Sequence, residues 1–264
     1  SLRCTKSADN QMKELSHIFL LAKGRFFIQK GLYDVGIPAI MSLVAECHVP
    51  EDTSCLLKAH RQIIYYTMQV YDLGLMEKHV NIGLKIAMDC GDQLELAIYR
   101  RLEGYLYMLQ EKNDLAKDRL EQSITIFETL SDGDGRYDIN IAGAHNYLGE
   151  NWRLQGNYPA AYEEYEKAIA LNQTNHYFPG TAVFFTNYGQ AAYQNGDMKL
   201  ARSQFEAALD IYKRSRENSW YPVALGYCAL FDTEDGRYEQ AAMKIQDALG
   251  IAESINSPLW EGLV

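Results

Sequence analysis

Residues 142–175 read AGAHNYLGENWRLQGNYPAAYEEYEKAIALNQTN, and this stretch decides the fold. Its apolar and small residues recur at steps of three and four. Leu148 is one of them before Gly156, and Ala161 and Tyr165 are two of them after it. That period predicts two amphipathic helices joined by a tight turn. Such a hairpin leaves an apolar face uncovered, so a stable protein needs further copies of it.

Further copies are present on both sides of this stretch. The turn glycines Gly156, Gly196 and Gly236 stand 40 residues apart, and each is followed by small and aromatic residues at matching places. Three less regular copies come earlier in the chain, the first with its turn at Gly31. The six repeats are therefore predicted to begin near residues 17, 60, 97, 142, 182 and 222.

The second and third copies are the degenerate ones. In the second, Gly74 is interpreted as the turn residue, between helices predicted near 55–73 and 76–89. In the third, the turn glycine is missing and Glu111 takes its place. With these assignments the turns stand 43, 37, 45, 40 and 40 residues apart.

This pattern resembles the tetratricopeptide repeat (TPR) family. Its marks in the central copy are Leu148-Gly149, Trp152, Gly156, Tyr158, Ala161, Tyr165 and Ala168. Trp152 replaces the usual Tyr, and the terminal Pro is lacking. The resemblance implies an all-α fold, a right-handed α-solenoid of about six antiparallel helix hairpins, forming a single superhelical domain over residues 1–264.

The repeats are longer than the roughly 34 residues of a standard TPR. Lengthened repeats resemble the TPR-like sensor regions of bacterial regulatory proteins, namely maltose-activator-like transcription factors, quorum-peptide receptors and regions that precede diguanylate cyclase domains. Residues 260–264 look like the opening of another helix, so we expect the chain to be a piece of a longer protein.

Composition narrows the function classes. The formal net charge is −10, which argues against direct nucleic-acid binding because that affinity comes chiefly from clustered Lys and Arg. The five cysteines are scattered and odd in number, as expected of reduced thiols in a cytoplasmic protein. No apolar run approaches the roughly 20 residues of a membrane span, so we expect no membrane partner.

Two clusters invite a metal interpretation, and both are judged unsuitable. The acidic loop 132–138 lacks the oxygen ligand and the glycine that a calcium loop needs at its fifth and sixth places, where Arg136 and Tyr137 stand. The group Cys47-His48, Cys55 and His60 fits none of the usual spacings of paired zinc ligands. The remaining histidines stand isolated in the sequence: His17, His79, His145 and His176. We therefore expect no metal, no cofactor and no enzymatic activity.

The remaining candidate is the concave face that first helices line in TPR superhelices. The resemblance marks the fifth, ninth and twelfth places of each first helix as exposed on that face, with Ile64 and Thr186 among the fifth places. In repeats three to five the rule yields a band of polar and aromatic residues. We predict that this band is the ligand-binding groove, and its members are Arg101, Tyr105, Asn146, Glu150, Arg153, Gln190 and Tyr193.

This mixture suits an extended peptide. Amide side chains can bond its backbone, Arg can hold a carboxylate, and aromatic rings can contact its apolar side chains. The sequence thus predicts a non-catalytic module that binds a peptide or protein partner, as the sensor or regulatory region of a bacterial signalling or transcription-regulatory protein. An assembly scaffold or homodimerisation domain without a small ligand remains an alternative, and a small-molecule sensor, for example of a sugar, is a third.

Overall fold

The computed structural model of the protein describes residues 8–174, 178–214 and 220–255. These residues form twelve α-helices and no strand, which confirms the all-α prediction. The helices are α1 (Ala8–Gln29), α2 (Tyr33–Glu46), α3 (Thr53–Val70), α4 (Leu73–Cys90), α5 (Gln93–Leu109), α6 (Asn113–Ser131), α7 (Asp138–Leu154), α8 (Tyr158–Thr174), α9 (Phe178–Gln194), α10 (Met198–Arg214), α11 (Tyr221–Glu234) and α12 (Tyr238–Ile255). The helix expected to open at residues 260–264 lies outside the described part of the chain.

Each odd-numbered helix packs most extensively against the even-numbered helix that follows it, so the twelve described helices form six hairpins. Helices α1 to α4 belong to one compact unit and α5 to α12 to a second. Within each unit, successive hairpins stack on one another, as in an α-solenoid. That all six hairpins form a single superhelical domain stays a prediction.

Glycines let the two helices of a hairpin approach closely. A Cβ atom added to Gly149 of α7 would lie 2.6 Å from the ring of Tyr165 on α8, and one on Gly189 of α9 would lie 3.0 Å from Phe205 on α10. Both rings are fully buried. The same contact between a glycine and a large apolar side chain joins Gly24 to Ile40 and Gly104 to Leu120. In all four hairpins the large residue comes 16 positions after the glycine, so the repeated sequence builds one repeated contact.

The turn of the second hairpin differs from the prediction. Helix α3 ends at Val70 and α4 begins at Leu73, three residues earlier than the sequence suggested. Tyr71, not Gly74, adopts the left-handed conformation, with φ of 55°. The Asp72 carboxylate accepts a hydrogen bond from the backbone N–H of Leu75 at 2.9 Å and so caps α4. Gly74 therefore lies in the first helical turn.

This correction makes the repeats more regular than the sequence had suggested. The left-handed residue of each turn is Gly31, Tyr71, Glu111, Gly156, Gly196 or Gly236. These residues stand 40, 40, 45, 40 and 40 positions apart. The one longer step contains the link 132–137, where three further residues have positive φ. Glu111 occupies a left-handed turn position, as predicted.

A helix that crosses a bilayer needs about 20 predominantly apolar residues, and the helices in the described part of the chain do not meet this requirement. None of them is both long enough and apolar enough to cross a membrane.

Candidate binding face

The seven residues of the predicted groove lie on α5, α7 and α9, all within the second unit. Helix α5 contacts α7, and α7 contacts α9, so the first helices of repeats three to five are neighbours. Six of the seven side chains are half-buried. We refer to this surface of α5, α7 and α9 as the inner face.

Asn146 departs from the prediction, because it is only 4% exposed. Its Oδ1 accepts a hydrogen bond from Nδ2 of Asn187 on α9 at 3.0 Å. Ile64 and Thr186, which the same rule had marked as exposed, are fully buried. Thr186 stands at the same place in its repeat as Asn146, where the side chain turns towards neighbouring helices. For Ile64 the cause is the shifted turn, which moves the numbering of the second repeat by three residues.

Arg153 is held by groups of the protein itself. Its Nε and Nη2 donate to the two carboxylate oxygens of Glu150 at 3.0 and 2.8 Å, and its Nη1 donates to Oε1 of Gln194 on α9 at 3.0 Å. Tyr165 adds a hydrogen bond from its hydroxyl to Glu150. Burial alone would lower the pKa of Arg153, but the hydrogen bonds and charge of Glu150 raise it above its ordinary value. Arg153 is thus oriented by a bidentate carboxylate partner on its own helix.

Arg101 is in a different state. Its Nη1 donates to the backbone oxygen of Asn140 on α7 at 3.3 Å, whereas its buried Nε has no hydrogen-bond partner. Gly143 makes room for it, because a Cβ there would lie 2.7 Å from Nη1. Among the ion pairs of the described residues, none includes Arg101. Its charge is therefore not compensated in the way that Glu150 compensates Arg153.

The aromatic members stand beside other rings. The Tyr105 ring lies 4.7 Å from that of Tyr147 on α7, centroid to centroid. The Tyr193 ring lies 5.2 Å from Tyr227 and 6.1 Å from Phe231, both on α11. Contacts of this kind fix the orientation of the rings, so each half-buried ring can offer an apolar surface.

Sequence reasoning missed Asn187. It is 4% exposed, and its Oδ1 is buried without a hydrogen-bond partner, although its Nδ2 is used by Asn146. An unpaired buried acceptor is costly, and each such group in a native protein calls for an explanation. The available signal was weak: Asn187 is a polar residue one position beyond Thr186, the place that the exposure rule marks.

The two clusters that had invited a metal interpretation look different in the structure. In the loop 132–138, the Asp134 carboxylate is paired with Arg136, as expected of a polar turn. His60 lies away from the cysteines, with its Nδ1 2.7 Å from Nδ1 of His79. His48 is exposed. The suspected combination of cysteines with His48 and His60 is therefore not formed.

Residues 140–214, which hold α7 to α10, match a family model described as tetratricopeptide repeat. Residues 140–214 carry TPR repeats. The match covers the central hairpins and most of the inner face, including Asn146, Arg153 and Asn187. The family fold is commonly a protein-interaction module. No curated protein sequence matches the chain significantly.

Solved structures extend the likeness beyond the matched repeats. The structure is similar to that of a Rap protein complexed with competence and sporulation factor, with a TM-score of 0.75, 14% identity and coverage of 98% of this chain and 70% of that one. It is similar to aspartyl phosphate phosphatase F from Bacillus subtilis, with a TM-score of 0.62, 12% identity and coverage of 98% and 68%.

A third similar structure is a STAND signal-transduction ATPase with a tetratricopeptide repeat sensor from Pyrococcus horikoshii. Its TM-score is 0.62 at 16% identity, and the match covers 94% of this chain but 36% of that one. At these identities the likeness concerns the fold alone. It supports a TPR-type arrangement of helix hairpins across nearly the whole chain.

Proposed function

We propose that this chain is a non-catalytic binding module whose inner face recognises an extended peptide segment of a partner. The observation that carries the proposal is a pair of buried hydrogen-bonding groups without a partner on the helices that form that face, Nε of Arg101 on α5 and Oδ1 of Asn187 on α9. One is a charged donor and the other an acceptor. A peptide backbone or carboxylate supplies the complementary groups, and pairing would remove the free-energy cost of burying them alone.

The state of the two arginines refines the roles of the groove residues. Arg101 supplies the positive charge for a carboxylate of the ligand, because its charge is not neutralised by a neighbouring acid. Arg153 already has Glu150 as its bidentate partner, so it acts by holding α7 against Gln194 of α9. Tyr105 and Tyr193 form apolar walls, and Gln190 offers a further amide for the backbone.

The biological setting is inferred from the fold. Structures of similar fold include a TPR sensor region within a signal-transduction ATPase and a Rap protein in complex with competence and sporulation factor. We accordingly infer a regulatory region of a bacterial signalling or transcription-regulatory protein, acting in the cytoplasm. Binding on the inner face would favour one arrangement of the stacked hairpins and so change the state of an attached partner.

Selection from a phage-displayed library of random peptides tests the proposal. Peptides enriched on the 264-residue chain are counter-screened against a triple variant, Arg101→Ala with Gln190→Ala and Tyr193→Ala. Tyr193 packs on two rings of α11, so its truncation should lower the melting temperature, and circular dichroism must show that the triple variant is folded at the temperature of the binding assay. We expect a family of acidic or carboxylate-bearing peptides that bind the chain and lose binding to the triple variant.

Two results would count against this function. Failure to enrich any peptide would favour an assembly scaffold without a small ligand. Enriched peptides that bind the chain and the triple variant equally well would move the binding site off the inner face. Arg214→Ala is the matched control. It removes an equally long cation from an exposed position on α10, which is not one of the helices of the inner face.

A further inference from the structure

Three soft or borderline metal donors come together in the first unit, although they are far apart in sequence. They are the imidazole of His17 on α1, the thiol of Cys47 directly after α2, and the thiol of Cys55 in the first turn of α3. One donor atom from each lies within 4.8 Å of the other two. His17 is 4% exposed and Cys47 7% exposed, so two of the three are buried.

The separations are close to what a tetrahedral ion requires. With Zn–S of about 2.3 Å and Zn–N of about 2.0 Å, ligand nitrogen and sulfur stand about 3.5 Å apart, and two sulfurs about 3.8 Å apart. Nδ1 of His17 lies 3.9 Å from Sγ of Cys47. The nitrogen–sulfur distance therefore exceeds the ideal value by about 0.4 Å, and shifts of up to about 1 Å would bring all three donors, which lie within 4.8 Å of one another, around one ion.

We propose that His17, Cys47 and Cys55 form a zinc-binding site that ties α1, α2 and α3 together. Two thiolates and an imidazole are ligands that Zn²⁺ prefers, and one more donor completes four-coordination. Oδ1 of Asp52 is a candidate for that fourth position, because it lies 3.6 Å from Nδ1 of His17. Its other oxygen accepts from Nζ of Lys13 at 2.7 Å, which holds the carboxylate at the site.

The second nitrogen of His17 supports the same assignment. Its Nε2 is buried without a hydrogen-bond partner and faces Oε2 of Glu46 at 3.9 Å. A metal-bound histidine usually donates its other ring N–H to a carboxylate or carbonyl, which orients the ring. With Nδ1 on the ion, Nε2 must carry the proton, and Glu46 is the acceptor within reach.

A path to the site is present. A cavity of about 540 Å³ borders the cluster and is lined by His17, Cys55 and Asp52 together with polar and charged side chains such as Lys13 and Glu51. An ion can therefore enter from the surface without unfolding of the unit.

The main competing explanation is a disulfide between the two cysteines. A disulfide would use both sulfur atoms and leave the buried imidazole without a role. Three converging donors are thus better explained by a metal than by a covalent bond between two of them.

The test is metal binding by the 264-residue chain after chelator treatment. Zn²⁺ is titrated in competition with a chromophoric chelator, and Co²⁺ serves as a spectroscopic probe of coordination. We expect one ion per chain, with thiolate-to-cobalt charge-transfer absorption and the strong visible bands of a four-coordinate site. Replacing a ligand, in Cys47→Ser, Cys55→Ser or His17→Gln, should weaken binding by more than about 10-fold and change the cobalt spectrum.

Two further variants make the result specific. Cys90→Ser changes an exposed thiol and should leave stoichiometry and spectrum intact. Glu46→Gln should weaken binding by roughly 10-fold while the cobalt spectrum keeps its shape, because it alters only the support of His17. If Cys47→Ser fails to fold, the test can still be made with Cys55→Ser, because Cys55 is only half-buried.

The proposal would be overturned by any of three findings. The first is that the unmodified chain binds no Zn²⁺. The second is that the ligand variants bind as tightly as the unmodified chain. The third is a chain isolated with a mass two hydrogens lower and a Cys47–Cys55 linkage found by peptide mapping.

Discussion

The hairpins α3–α4 and α7–α8 share the same helix–turn–helix architecture, but they differ where their helices approach each other. Seven residues before and five residues after the left-handed turn residue, α7–α8 has Gly149 and Ala161. The equivalent residues of α3–α4 are Ile64 and Met76, both fully buried. In the regular hairpin, small residues on one helix receive a ring from the other. In the degenerate one, both contact positions carry bulky side chains.

A second difference concerns one pair of polar positions. Eleven residues before and eight after the turn residue, α7–α8 has His145 and Glu164, with the imidazole Nδ1 2.6 Å from the carboxylate. At the same places α3–α4 has His60 and His79, joined at 2.7 Å. One pair can hold complementary charges, whereas the other cannot accept two protons without repulsion. The hairpin α7–α8 is therefore held by the contacts that the repeat pattern specifies, whereas α3–α4 is held by contacts that the pattern does not specify.

The largest expected effect comes from the ring that fills the regular hairpin. Tyr165→Ala removes a fully buried ring that packs on Gly149 and Tyr188, and it should lower the free energy of unfolding by about 3 to 5 kcal/mol. The matched change in the degenerate hairpin is Val80→Ala, which should cost only about 1 to 3 kcal/mol. Urea unfolding followed by circular dichroism measures both, and equal losses would show that the two contact positions are equivalent.

Glycine-to-alanine changes should have opposite signs in the two hairpins. Gly149→Ala places a Cβ against the Tyr165 ring and should destabilise by about 1 to 3 kcal/mol. Gly74→Ala meets only the Asp72 side chain, at 3.7 Å, and should stabilise α4 by up to about 1 kcal/mol, because alanine is the better helix former. Destabilisation by Gly74→Ala would instead indicate that Gly74 is the left-handed turn residue.

The two histidine pairs predict different responses to pH. Burial, followed by the charge of His79, lowers the pKa of His60 to about 4. In the unfolded chain the histidine pKa is near 6.5, so between about pH 6.5 and 4 the unfolded chain binds more protons than the folded one. The stability of the first unit should therefore fall as the pH is lowered from about 6.5 to 4. In α7–α8, burial tends to raise the pKa of Glu164, but hydrogen bonds with His145 and Lys167 outweigh burial and lower it. The stabilisation that Glu164 contributes should therefore be lost only as the pH falls below the ordinary glutamate range.

Urea unfolding at pH 7 and pH 5 checks this prediction. His60→Gln should reduce the loss of stability between the two values, and His48→Gln, at an exposed position, should leave the loss unchanged. A loss that is the same in the chain and in His60→Gln would assign the acid sensitivity to another group.

The smallest expected effect is at the turn of the degenerate hairpin. Tyr71 has φ of 55° and is 57% exposed, so Tyr71→Gly relieves backbone strain while losing little burial. We expect a change in unfolding free energy of less than about 1 kcal/mol, towards greater stability. The reverse change in the regular hairpin, Gly156→Ala at φ of 74°, should destabilise. Thermal melts of the two variants should therefore shift in opposite directions.

The sequence predicted the features that recur in every repeat, but it predicted none of the features that depend on contacts between repeats. The helix period and the turn glycines are local or recur at a fixed offset, so the sequence predicted them. The boundary near Gly74 was misjudged because Tyr71 takes a conformation that its side chain does not favour.

The candidate site was harder to foresee for the same reason. The burial of Asn146 depends on Asn187, 41 residues away on another helix. Likewise, His17 meets Cys47 across 30 residues, and ligand-spacing rules do not detect such a pair. Distances of this kind are set by how the hairpins stack, which periodicity alone does not specify.

The central claim is that the inner face of α5, α7 and α9 binds a partner segment, and one affinity comparison tests it most directly. A fluorescently labelled peptide from the selection is titrated with the unmodified chain, with Arg101→Ala and with Arg214→Ala. Truncating a central Arg in an interface costs about 1 to 4 kcal/mol, and 1.4 kcal/mol is tenfold in affinity. We predict binding weakened by about 10-fold or more in Arg101→Ala and unchanged in Arg214→Ala. Equal affinities for all three proteins would contradict the claim.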